Sequence, residues 1–128
     1  MNNYAYTKEV DWTFQEAIEK VTFTLQEEGF GILTTINVTE KMKQKLWKDM
    51  DDYIILWACN PALEYEAIGI EIEIWLLLPC NVIVYRKNQK TFVSAIVPSV
   101  AMWFIGNESI ENIAWSAEIK LKKAIDNM

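Results

Sequence analysis

Hydrophobic positions along this chain fall into two long helical stripes, with several shorter extended runs between and before them. Phe14, Ala17, Ile18, Val21 and Leu25 keep the three- and four-residue spacing of one helix face. Thr13 followed by Glu16 predicts a capping box at its start, and Gly29 stands where a C-terminal cap would. The second stripe is clearer. Ile110, Ile113, Ala114, Ala117, Leu121, Ala124 and Ile125 fall within an arc about 100° wide, capped by Asn107 or Ser109.

The extended runs are Tyr4 to Val10, Ile32 to Val38, Tyr53 to Cys59, Cys80 to Tyr85 and Thr91 to Val97. Tyr53 to Cys59 is continuously apolar, which predicts a strand covered on both faces or central in its sheet. The last two runs flank Asn88-Gln89, a pair suited to a tight hairpin. Short helices are expected after Thr39 as N-cap, with Met42 and Leu46 facing inward, after Asn60-Pro61, and over Ser99 to Ile105. Ile70, Ile72 and Ile74 alternate with Glu71 and Glu73 and predict one further extended segment. The pattern is α+β, β-α-β(4)-α. It calls for one mainly antiparallel sheet with two long helices on one face, in a single domain over residues 1–128.

The apolar fraction of 52% argues against disorder. No uninterrupted apolar stretch approaches the roughly 18 residues that would span a bilayer, and the first residues lack a signal-peptide pattern. A soluble cytoplasmic protein is expected, with no membrane partner. Charge narrows the partners further. The chain carries −6 net and a single arginine, Arg86, and its lysines are interleaved with acids as on solvated helix faces. No nucleic-acid partner is expected. Histidine is absent, which removes Ser–His–Asp triads, Cys–His pairs and most catalytic zinc sites. No catalytic constellation or cofactor motif takes their place, so nothing supports an enzyme. The Asn37 and Asn107 sequons read better as helix caps.

Two short motifs carry a resemblance. Ala58-Cys59-Asn60-Pro61-Ala62-Leu63 and Leu76-Leu77-Leu78-Pro79-Cys80-Asn81-Val82 resemble the paired signature of the domain-of-unknown-function 302 family. Glu28-Gly29-Phe30-Gly31, Tyr53 with Ile55, and Val97-Pro98 support it. The resemblance implies a fold similar to that of the TATA-binding protein, with dimers common, and it implies no activity. Similarity to a DNA-binding fold carries no function by itself.

Four leads remain. Cys59 and Cys80 end one strand and begin another, beside the motif residues Asn60, Pro61, Pro79 and Asn81. They are candidates for a redox pair or soft-metal clamp, or else buried small hydrophobes. Phe23, Trp115 and Ile119 point away from their helical stripes, as a homodimer or partner surface would. Trp47, Trp75 and Trp103 adjoin the short insertions, where they could line a pocket for a small apolar ligand or simply seal the insertions down. Glu71 and Glu73 suit either an acid/base pair or a solvent-facing edge. The reading is a dimeric small-ligand-binding or scaffold module. The alternative is a thiol-dependent redox or soft-metal protein.

Overall fold

A computed structural model describes residues 2–77 and 80–128. The strands and helices alternate as β1 (Ala5–Val10), α1 (Phe14–Glu27), β2 (Gly31–Asn37), α2 (Val38–Leu46), β3 (Tyr53–Cys59), α3 (Pro61–Ile70), β4 (Cys80–Lys87), β5 (Lys90–Ile96), α4 (Pro98–Ala101) and α5 (Glu108–Asp126). One-turn helices at Ile74–Leu76 and Trp103–Ile105 follow α3 and α4. The five strands form one antiparallel sheet in the order β1-β5-β4-β3-β2. The β-α-β(4)-α class is therefore the observed one.

The long helices cover one face of this sheet. Ala17, Val21 and Leu25 of α1 and Ile110, Ala114, Leu121 and Ile125 of α5 pack against Leu56, Ala58, Val82, Val84, Val93 and Ala95. Side chains alternate between sheet faces, so the residues between these point to the opposite side. α1 starts with the predicted capping box, Thr13 and Glu16 each accepting from the other's backbone N–H. It ends in a Schellman turn: the Phe30 amide donates to the Leu25 carbonyl, the Gly29 amide to Gln26. The β4–β5 hairpin turns on Asn88 and Gln89, both at positive φ, the type I′ geometry that matches sheet twist.

Three expectations need correction. Residues Ile70 to Ile74 are not extended: α3 runs to Ile70, a turn follows, and only Ile74 of the alternating isoleucines enters the core. β3 already has β2 and β4 as neighbours, so the sheet has no opening there for another strand. Asn37, not Thr39, caps α2 by accepting from the Glu40 amide. The Thr39 hydroxyl instead donates to the Asp51 carbonyl and accepts from the Tyr53 amide, tying the loop to β3. α2 buries no residue, and Leu46 is exposed. β3 is interior to the sheet, the second of the two arrangements its apolar run allowed, and the long helices cover one of its faces.

Candidate functional site

The motif residues meet at one corner, where β3 ends, α3 begins and α1 has just turned. Asn60 caps α3 by accepting from the Leu63 amide at 3.4 Å, and its Nδ2 donates to the Glu28 carbonyl at 3.4 Å. Pro61 takes the first helical position, where its missing N–H costs nothing. Gly29, at φ +87°, passes so close that a Cβ would lie 3.2 Å from Asn60 Nδ2. Asn60 and Pro61 therefore act as a joint between three elements. Asn81 is exposed at the opposite face of the sheet, in register with Trp57, and Pro79 lies outside the described residues.

The two cysteines are brought to neighbouring strands, Cys80 pairing with Ala58 beside Cys59. Both are free and buried. Burial pushes each thiol up to about 12, and the Glu64 carboxyl in the first turn of α3 pushes in the same direction. Such thiols are neutral at physiological pH and poor nucleophiles or metal ligands. Among the described residues no group of three Cys, Asp or Glu side chains could hold a metal ion.

Glu64 is the member that sequence reasoning missed. It is only 4% exposed, and neither carboxyl oxygen finds a hydrogen-bond partner among the described residues. Burial raises its pKa, and the adjacent Cys59 thiol offsets part of that rise without an S–H···O geometry good enough to satisfy either oxygen. Trp57, two residues before Cys59, has an indole Nε1 that is also buried and has no partner among the described residues. Glu118 shows the contrast. It is equally buried, but it accepts from the Ser99 amide and from Lys122 Nζ, both at 3.0 Å. Burial pushes its carboxyl up, and these bonds outweigh that and hold it below the usual value.

The helix-face residues are exposed as expected, Phe23 at 61%, Trp115 at 55% and Ile119 at 63%. They do not share one hollow. Phe23 lines a depression with Thr24 and Met128 at the end of α5, whereas Trp115 lines another with Met102 and Trp103. Those two ends of α5 lie roughly 20 Å apart at 1.5 Å per residue. The tryptophans of the insertions part company too. Trp47 stands in solvent at 82% exposure, with the left-handed φ of 57° that ends α2. Trp75 packs against Trp57 at 6.2 Å, and Trp103 borders the hollow near Trp115, with a volume of about 340 Å³. Glu71 and Glu73 are exposed in the turn after α3, not on a strand edge.

The family model described as domain of unknown function DUF302 matches residues 6–128. The chain belongs to the DUF302 family. A crystal structure of an uncharacterized conserved DUF302 protein from Bacillus stearothermophilus is similar to it at 28% identity, with a TM-score of 0.89 over 96% of each chain. No curated protein matches the sequence. The DUF302 match takes in the Asn60 joint, the cysteines and the whole sheet from Tyr6 onward, and neither description names an activity. No helix among the described residues of this DUF302 chain is long and apolar enough to cross a membrane.

Proposed function

We propose that this DUF302 chain is a non-catalytic binding module of the cytoplasm that works as a homodimer through its apolar surface. The observation that carries this reading is where the side chains are placed. The cysteines that could do chemistry are buried and neutral, while Ile36, Trp103, Phe104, Trp115 and Ile119 stand in solvent. Large apolar residues exposed in number mark an association surface more often than chance. Free thiols without a disulfide fit a reducing compartment, and the acidic balance with one arginine disfavours nucleic acid. Sedimentation velocity on a dilution series tests it: the mass rises with concentration from 14.9 kDa toward twice that value. A single species at the chain mass throughout would overturn the dimer.

A second reading rests on the hollow lined by Ser99, Met102, Trp103, Glu111, Ala114 and Trp115. Its volume of about 340 Å³ is within the range of small-molecule sites, and two indoles with one carboxylate suit a small aromatic amine. Saturable quenching of tryptophan fluorescence by such amines, lost in Trp103→Ala, would support it. No quenching at millimolar amine would exclude it.

A further inference from the structure

The sheet face turned away from α1 and α5 is largely apolar and laid out in register across the sheet. One row runs Thr7, Ser94, Ile83, Ile55, Ile36, and the next Ala5, Ile96, Asn81, Trp57, Thr34. The third runs Glu9, Phe92, Tyr85, Tyr53, and its rings stack, Tyr85 lying 5.2 Å from Phe92 and 5.8 Å from Tyr53. Trp75 covers the Trp57 corner. We infer that this open sheet face, rather than the outer faces of the helices, is where a second copy of the chain docks. The inference rests on the homodimer reading and gives it a location.

Three properties of the face favour a second copy as the occupant. The first is area. Five strands about 4.8 Å apart and six to eight residues long present a plane on the order of 500 Å², so two copies bury about 1,000 Å², the lower limit of a specific interface. The second is charge. Each copy carries −6, yet on this face charged side chains are confined to the hairpin end, at Glu9, Lys87 and Lys90, with Glu9 and Lys90 paired at 3.6 Å. Two such faces meet without burying like charges, the arrangement that repulsion between acidic copies requires. The third is polar satisfaction. Thr7 and Ser94 hydroxyls, the polar groups of the central row, bond each other at 2.7 Å, so covering that row strands no donor or acceptor, and Asn81 and Thr34 of the next row are the groups a second copy has to bond. Sheets pack face to face about 10 Å apart, and a twofold axis through the face brings Ile83 and Ile55 near their own counterparts.

The test measures mass by size exclusion with light scattering for wild type, Ile83→Lys, Ile36→Lys and Trp115→Lys, each checked for native circular dichroism. Ile83→Lys and Ile36→Lys place a lysine on the central row and should raise the dimer dissociation constant by roughly 100-fold or more, while Trp115→Lys leaves it unchanged. If Ile83→Lys unfolds, Ile36→Lys, already solvent-exposed at the end of the row, carries the test alone. Loss of the dimer in Trp115→Lys with the sheet-face variants still dimeric overturns this location and leaves the homodimer standing. A wild type that stays monomeric at every concentration overturns the homodimer reading, and this inference falls with it. A heavier complex formed only with another protein or a small apolar ligand would equally contradict a second copy as the occupant.

Discussion

Glu64 offers the sharpest test of the structure, because its burial without a partner among the described residues has a consequence of known sign. A carboxyl whose folded pKa is raised stabilises the fold fully below its unfolded value, near 4.5, and that contribution is lost as pH rises through the raised folded value. Once ionised as pH rises, Glu64 is a buried carboxylate with neither oxygen bonded among the described residues. Leaving a buried polar group unsatisfied costs about 1–3 kcal/mol, more for a charge. Glu64→Leu, close in volume and without polar atoms, should stabilise the protein by about 1–3 kcal/mol at pH 8. For a domain of this size that is a rise in Tm of about 4 °C per kcal/mol. At pH 4.5 the gain should shrink, because the wild-type carboxyl is then largely neutral. Glu118→Leu is the internal control. It removes the partner of the Ser99 amide and of Lys122, so it should cost about 2–3 kcal/mol at pH 8. The lowered pKa of Glu118 gives the opposite pH dependence, its contribution being lost as pH falls below about 4.5. Thermal melts by circular dichroism at the two pH values read all of this. A Glu64→Leu protein less stable than wild type at pH 8, by as much as Glu118→Leu, would mean that Glu64 has a partner in solution, and the reading of this corner would be wrong.

Other predictions follow from single features. Both thiols should stay unreactive toward a thiol reagent at pH 8 in the native protein and titrate together once it is denatured, since both are buried with pKa values pushed up to about 12; rapid native reaction of either would revive a thiol role. Trp47→Gly should raise stability by about 0.5–1 kcal/mol, because the left-handed φ of 57° strains a non-glycine residue and the exposed indole contributes little packing. A drop in Tm would show that the indole is held. Gln89→Gly should give a similar gain at the φ +67° position of the hairpin, read by denaturant melts.

Much of the fold was legible because local signals agreed with one another. Thr13 and Glu16, the stripe from Phe14 to Leu25, and Gly29 all fix the same helix, and Asn88-Gln89 fixes the hairpin register. Where reading failed, tertiary context decided. The Ile-Glu alternation at residues 70–74 has a strand's period, but the sheet has no open position beside β3, so only Ile74 is drawn into the core. Asn37 and Thr39 are both good caps, and the choice turned on the carbonyl of Asp51 waiting for the Thr39 hydroxyl. The site was harder. Cys59 and Cys80 could be placed on strand ends, whereas nothing in the composition of α3 marks Glu64 among its neighbours Glu66 and Glu71 as the buried one. The open sheet face was hidden for a different reason. In a run such as Tyr53 to Cys59 both parities are apolar, so the pattern alone does not tell a strand covered on both faces from one central in its sheet with a face left open.

The measurement that bears most directly on how this molecule binds is cross-saturation NMR on a mixed sample, a perdeuterated ¹⁵N-labelled copy with a protonated unlabelled one. Irradiating the protonated side chains should attenuate amide signals of β3, β4 and β5 around Ile55, Ile83 and Ser94. Attenuation centred instead on Trp115 and Ile119 of α5, or none at concentrations where the mass is that of a dimer, would contradict the sheet face as the working surface.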